Sequence, residues 1–492
     1  MDTVIVWFRH DLRVADNPAL SYAVAQGYRV LPLFIVDTDA GQRESHPREF
    51  QWPPGAASLW WLHHSLTALQ RRLRKLGAEL VIQRGDPAQI LTALGHRYAI
   101  SEVLWNRCYE PHAVARDGAL KHTLIDAGIA TRSFNASLLL EPWQLLKGDG
   151  NPYRVFTPFW KTLQRTLIET APLPAPAGIT GIEVAADDSL TLDSLCLLPD
   201  IAWDEGLYKT WHPGETGAHA RLHAALAGAL LDYSTQRDLP ATQGTSRLSA
   251  HLHFGELGPR QVWYAVRAWA AGNSGAGYAG TAESFLRQLA WREFAIHLLY
   301  HFPHTAEQPL DTRFAQFPWN EDATALHAWQ RGRTGIPIID AGMRELWQTG
   351  WMHNRVRMLV ASLLTKNLRI HWLEGAHWFW DTLVDADLAN NTMGWQWVAG
   401  CGADAAPYFR IFNPVVQSER FDPNGDYVRQ WVPELAALPA KWIHQPSAAP
   451  AAVLAEAGIE LGRDYPLPIV DLAATRQRAL NTWNDIKHIA RE

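Results

Sequence analysis

Cysteine is scarce in this chain: three residues among 492, Cys108, Cys196 and Cys401, with no CxxC pair. An odd, scattered set supports neither a disulfide framework nor a thiolate metal site, and it suits a reducing cytoplasm. Long apolar runs are missing as well. No stretch of about 18 apolar residues occurs, so no membrane-spanning helix is expected. The chain enters TVIVWFRHDLR almost at once, which leaves too short an apolar segment for a secretory signal. HExxH, GxSxG and P-loop motifs are absent, and the pairs His63/His64, His251/His253 and His301/His304 lack the i, i+4 spacing of a zinc helix. No metal is expected.

A strong charge of either sign is also lacking, since 44 basic against 50 acidic residues leave a net charge of -6. The average conceals a local excess of basic residues between positions 241 and 370. Local potential, not net charge, attracts a phosphate backbone, so a basic face on an acidic body is compatible with nucleic-acid binding. Tryptophan is the residue in surplus, with 24 in the chain. Most must be packing residues. Indole is also the side chain best suited to carry a transient radical cation, which makes a redox cofactor worth seeking.

From residue 3 to about 140, short β-branched runs (TVIVWF, RVLPLFIVD, AELVIQRG, ISEVLWNR) alternate with amphipathic segments. This alternation predicts an α/β domain with a Rossmann-like, doubly wound parallel sheet. The loop after the first run, RHDLRVADNPAL, contains no glycine. A dinucleotide pyrophosphate needs glycine there for close approach, so the domain is not a standard NAD or FAD binder. Residues 141–215 read as an irregular connector rich in proline and glycine. Residues 216–492 read as all-helical, through RLHAALAGALLDY, GPRQVWYAVRAWAA, ESFLRQLAWREFAIHLLYHF, IPIIDAGMRELWQTG, RVRMLVASLLTK and PELAALPAKWI.

In that helical region GTSRLSAHLHFGEL, QLAWREF, TGWMHNRVRM, DADLANNTMGWQW and DAAPYFRIFNP place arginine, hydroxyl and amide groups inside apolar helices. Buried polar groups require partners, so these segments form either an extended internal network or a site for a polar ligand. Thr245, Ser246 and Ser249 taken alone read as helix caps. Together with Arg292, Arg357, Asp385 and Asp387 they form a set able to hold phosphates, a ribose and a flavin's imide edge.

At these motifs the sequence resembles the photolyase/cryptochrome family, from VWFRHDLRVADNPAL near the start to FRIFNPVVQSERFDPNGDYVRQWVPEL near the end, with WREF, MHNR, WQW and RIFNP in order between. The resemblance implies an amino-terminal α/β domain followed by a helical domain that holds a U-shaped FAD. Tyr233 and Thr245, Ser246, Arg247, Leu248 and Ser249 would meet the pyrophosphate and ribityl region, with Arg292 among the cofactor contacts. Arg357 would pair with Asp385 beside the isoalloxazine, Asp387 would face its polar edge and Asn391 its N5. Trp395, Trp372 and Trp319 fall at the positions of the family's electron relay, in that order outward.

The implied activity is light-driven repair of cyclobutane pyrimidine dimers in DNA. Arg237, Arg355 and Gln417 would contact phosphates, Trp291 and Trp397 would wedge against the flipped dimer, and Asn354 and Met358 would line its pocket. Gln288 departs from the glutamate usual there in the family's cyclobutane-dimer enzymes, which removes an acidic proton but keeps amide donors. A cryptochrome-like blue-light photoreceptor and a 6-4 photoproduct photolyase are the alternatives. The first is disfavoured by an end at NTWNDIKHIARE without a long polar tail, the second by a missing histidine pair. Either a methenyltetrahydrofolate antenna binds without the Asn-Glu pair of one photolyase group, because His112 and Ala113 stand there, or no second chromophore is bound. A cytoplasmic monomer acting on UV-damaged DNA is the resulting expectation.

Overall fold

The computed structural model describes residues 1–37, 52–273, 276–405, 407–408 and 410–488. The chain forms two compact units. The first comprises Met1–Asp204, Trp211–Leu231 and Ser246–Pro303; the second comprises Glu205–Thr210, Asp232–Thr245 and His304–Glu492.

The first unit is built on a five-stranded sheet, β1 (Thr3–Phe8), β2 (Arg29–Val36), β3 (Val81–Arg84), β4 (Ile100–Asn106) and β5 (Ala130–Phe134), in the order β3-β2-β1-β4-β5. Every pairing is parallel. Helices α1 (Pro18–Ala25), α2 (Ala56–Leu76), α3 (Pro87–Arg97) and α4 (Pro111–Asp126) connect the strands. All six residues of β1 are buried, as both faces of such a sheet require. On one face Ile5, Trp7, Leu31, Leu33, Val103 and Trp105 join Leu91 and Leu94 of α3 and Leu120 and Leu124 of α4 in one core.

The strand order reverses between β1 and β4, where an open parallel sheet ordinarily offers a ligand crevice. Here that position is filled by the chain itself. Asn106 donates to Asp11 at 2.6 Å and to Asn17 at 2.8 Å, and Arg9 spans both oxygens of Asp117 at 2.7 and 2.9 Å.

Three local readings need correction. Strand β5, ATRSF, carries too little apolar patterning to stand out, because it is a five-residue edge strand with no fully buried position. The stretch taken as wholly irregular contains helix α5 (Phe156–Thr166), whose buried face is Phe156, Phe159, Trp160 and Leu163. PELAALPAKWI is a 3-10 turn (Pro433–Leu435) and a short helix (Ala440–Ile443) rather than one helix, with Pro433 and Pro439 interrupting the ladder.

The first unit also carries α6 (Pro259–Gly272) and α7 (Ala276–His301). The second unit is helical, including α8 (Pro337–Thr349), α9 (Asn354–Ser362), α10 (Trp372–Thr382), α11 (Leu388–Ala399) and α12 (Pro414–Phe421). Among the described residues no helix is long and apolar enough to cross a membrane, and no cluster of His, Cys, Asp and Glu could hold a metal.

Candidate functional site

In the second unit two helix starts carry the polar residues singled out in the sequence. Helix α9 is capped by His353, whose ring accepts from the Arg355 N–H at 3.2 Å. One turn in, Arg357 donates to both oxygens of Asp385 at 3.1 and 2.9 Å and to the Met352 carbonyl at 2.8 Å. The pair is asymmetric: the Asp385 side chain is 4% exposed, that of Arg357 25%. Asp387 caps α11, accepting from the backbone and side-chain nitrogens of Asn390 at 2.8 and 2.7 Å.

Asn391 follows on α11 and is buried. Its Nδ2 donates to the Ala376 carbonyl of α10 at 2.9 Å, which fixes the orientation of the amide. The oxygen accepts no hydrogen bond among the described residues, so it remains a neutral acceptor available to an N–H group.

The three candidate relay indoles lie in this unit. Trp372 is 0% exposed and Trp395 3%, while Trp319 is half-buried. Gly375, one turn along α10 from Trp372, gives Trp395 its place: a Cβ there would lie 2.1 Å from the indole. Trp395 is further packed edge-on by Phe379 at 5.0 Å and Trp329 at 6.0 Å. Toward the outside, His371 lies 5.7 Å from Trp372 and 5.0 Å from Trp319, ring centre to ring centre. Neither Gly375 nor His371 was identified from sequence. A glycine at i+3 from a relay tryptophan was the available signal.

Of the residues expected to meet DNA, those in the second unit differ in how committed they are. Arg355 pairs with Asp238 at 2.8 Å and lies over Phe421 at 4.4 Å. Arg237 has only a ring beneath it, Tyr233 at 5.5 Å, and no carboxylate partner among the described residues. The Gln417 side chain on α12 is half-buried. Asn354 and Met358 share one face of α9, with Nδ2 to Sδ at 4.0 Å. Trp397 is half-buried on α11, and Tyr233 is buried at the start of a short helix, Tyr233–Gln236. Thr245 is half-buried.

The basic excess read between 241 and 370 is thus partly neutralised. Within the first unit Arg260 pairs with Asp16 and Arg267 with Glu169, and within the second Arg344 pairs with Glu434.

In the first unit Ser246, Arg247 and Leu248 form the turn entering a short helix, Ser249–His253. The cap reading does not hold, because the cap residue is Leu248 and no side chain caps that helix. Arg247 has φ +52°, a left-handed conformation that a side-chain-bearing residue adopts at a cost of about 1–2 kcal/mol. On α7, Arg292 is tied to the Ser137 carbonyl at 2.8 Å and lies 3.6 Å from Glu293. Gln288 is half-buried and its amide makes no hydrogen bond among the described residues. Trp291, one turn on, is half-buried and stacked on Phe156 at 3.7 Å.

Comparison with known proteins places these features. Residues 4–177 match the family model described as DNA photolyase, and residues 285–485 that described as the FAD binding domain of DNA photolyase. A deoxyribodipyrimidine photo-lyase of Agrobacterium fabrum is 48% identical over 98% of each chain. The chain belongs to the photolyase/cryptochrome family. Cryptochrome-1 of Arabidopsis thaliana is 40% identical, over 96% of this chain and 69% of that protein. Among solved structures, a bacterial class III photolyase from Agrobacterium tumefaciens matches with TM-score 0.93 and 47% identity, covering 99% of this chain and 98% of the other. A Synechocystis cryptochrome matches with TM-score 0.87 and 29% identity over 98% of this chain and 99% of that one.

FAD is therefore the cofactor of this family member, and the second unit's donors fit it. The open Asn391 oxygen suits a ring N–H, while the partly exposed guanidinium of the Arg357–Asp385 pair offers positive charge.

Proposed function

We propose that the chain is a light-driven cyclobutane pyrimidine dimer photolyase. The reading is carried by Asn391, whose amide nitrogen is committed to Ala376 and whose oxygen is left open, on a helix that also carries the candidate relay indole Trp395. When bound and reduced, FAD would supply light-driven one-electron transfer. Asn391 would accept from the flavin N5–H without adding charge, and Arg357 with Asp385 would flank the ring system. Asp387 would face its polar edge. Tyr233, Thr245, Ser246, Arg247, Leu248, Ser249 and Arg292 would hold the remainder of the cofactor.

Trp319, Trp372 and Trp395 would carry electrons inward to keep the cofactor reduced. Arg237, Arg355 and Gln417 would contact DNA phosphates, Trp291 and Trp397 would stack on the extruded bases, and Asn354 and Met358 would line the lesion pocket. Stacking contributes about 1–3 kcal/mol per base. Gln288 would donate from its NH₂ to the dimer carbonyls; it has no acidic proton to transfer. Any methenyltetrahydrofolate antenna would bind without an Asn-Glu pair, because His112 and Ala113 stand at those positions. The proposal includes an antenna domain at 1–140, a connector at 141–215, an FAD domain at 216–492, and action as a cytoplasmic monomer.

Gln288 favours a second reading, a cryptochrome-like photoreceptor using the same flavin and indoles. One experiment separates them. Reduced protein is illuminated with dimer-containing single- and double-stranded oligonucleotides, and restored thymine is measured. Repair in the light and none in the dark supports the enzyme; no repair with normal flavin photoreduction supports the photoreceptor.

A further inference from the structure

We propose that Phe156 is the positioning residue that holds Trp291 ready to stack on a flipped base, an inference that rests on the lesion-contacting role given to Trp291 above. The two rings lie face to face, with centroids 3.7 Å apart and planes 6° from parallel. Aromatic pairs in proteins more often meet offset or edge-on at 4.5–7 Å, so this degree of overlap leaves Trp291 little rotational freedom. Phe294 packs edge-on against both, at 5.9 Å from Phe156 and 5.8 Å from Trp291. Phe159 supports Phe294 from α5 at 5.1 Å.

Burial distinguishes the roles within this group. Phe156, Phe159 and Phe294 are 1%, 0% and 0% exposed, whereas Trp291 is half-buried. The phenylalanines form a buried base, and Trp291 is the member that reaches solvent. One of its π-faces is covered by Phe156, so the opposite face is the one on which a base can stack. A base added there extends an existing stack and need not order a mobile indole first. Arg287, one turn before Trp291 on α7, is exposed and lies 5.6 Å from the Phe156 ring centre. The neighbourhood is therefore both aromatic and cationic, the combination that binds single-stranded nucleic acid.

The sequence gives a rationale for the placement. Phe156 is the first residue of α5, so its side chain is set by a helix start rather than by a loop. The remaining buried face of α5, Phe159, Trp160 and Leu163, anchors that start. Ordering one rotamer-rich side chain on binding weakens association by about 3- to 10-fold, which is the size of effect expected when the stack is lost.

The test is dark equilibrium binding of FAD-loaded protein to a thymine-dimer oligonucleotide and to its undamaged counterpart, for wild type, Phe156→Leu, Phe156→Tyr and Trp291→Ala. Thermal unfolding and flavin content are recorded for each. Phe156→Leu is expected to lose about 3- to 10-fold in dimer affinity with undamaged-DNA affinity unchanged, and Phe156→Tyr to retain it because the ring is kept. If leucine destabilises the fold, Phe156→Met, which refills the volume without a π-face, takes its place.

Wild-type dimer affinity in the leucine or methionine variant, alongside a loss in Trp291→Ala, overturns the inference and leaves the function of Trp291 standing. Equal losses for damaged and undamaged DNA, or no recovery with tyrosine, also overturn it. Wild-type dimer affinity in Trp291→Ala removes the role of Trp291 itself, and the inference with it.

Discussion

The two units bury polar groups in different ways. In the first, the buried charges close on one another: Arg9 with Asp117, Asp11 with Asn106 and Asn17, and His251 with Glu256, whose carboxylate also accepts from Trp61 at 2.9 Å and Gly214 N–H at 2.6 Å. In the second, around α9 to α11, the pairings stop short of closure. Asn391 uses its nitrogen and leaves its oxygen, and Arg357 remains 25% exposed beside a buried Asp385. A network whose groups are mostly committed to one another has little bonding capacity left for a ligand, whereas an unsaturated one holds that capacity at a fixed position. Burial of polar residues therefore marks structure around Asp11, Asp117 and Glu256 and a candidate site around α9 to α11.

The largest effect should come from opening a closed network. Burial alone would raise the Asp117 carboxyl, but Arg9 and Arg116 outweigh it and hold it below its ordinary value. Asp117→Ala leaves Arg9 buried without its carboxylate and should cost about 3–5 kcal/mol in denaturant unfolding. Flavin spectra should be unaffected in the fraction that remains folded.

Next in size is a pH effect with opposite signs in the two units. Burial, opposed by Arg292 and the N–H groups of Leu139 and Leu140, raises Glu293 of the first unit to about 7. A raised carboxyl contributes stability that is present below its unfolded pKa and lost as pH rises through 7. Glu293→Gln should flatten that loss, by roughly 2–4 kcal/mol between pH 4.5 and 8, read from unfolding midpoints. Burial lowers Lys366 of the second unit to about 7, with Nζ bonded to the carbonyls of Tyr408 at 3.2 Å and Arg410 at 2.9 Å. There the unfolded chain binds more protons between pH 7 and 10.5, so stability rises with pH, and Lys366→Met should remove that rise.

Smaller effects should fall on the candidate site, where function changes more than stability. Gly375→Ala places a methyl group 2.1 Å from the Trp395 indole. It should cost about 1–3 kcal/mol and slow flavin photoreduction measured by transient absorption. Asn391→Ala should cost only about 1 kcal/mol, the Ala376 hydrogen bond, yet shift the absorption spectrum and redox behaviour of the flavin. A variant with unchanged flavin spectra would show that the open oxygen has no ligand.

The α/β architecture was legible because β1, β2 and β4 are largely apolar runs buried on both faces and β3 opens with a buried Val81–Ile82 pair. Strand β5 was not, because ATRSF has no fully buried position and no apolar run. The helix starts at Asn354 and Leu388 were readable as polar motifs, but their caps were not: His353 and Asp387 act through ring and carboxylate geometry that spacing alone does not reveal. Ser246 and Ser249 looked like caps by residue type, and the turn instead places Leu248 at the cap. The basic window was visible as a count, whereas its neutralisation by Asp16, Glu169 and Glu434 depends on partners distant in sequence.

The most direct test of the account is the flavin content of the purified protein, released by denaturation and quantified against chain concentration. One FAD per chain, with the ratio falling in Asn391 and Asp387 variants that remain folded, is the predicted result. A folded, colourless protein that takes up no FAD on reconstitution would contradict it.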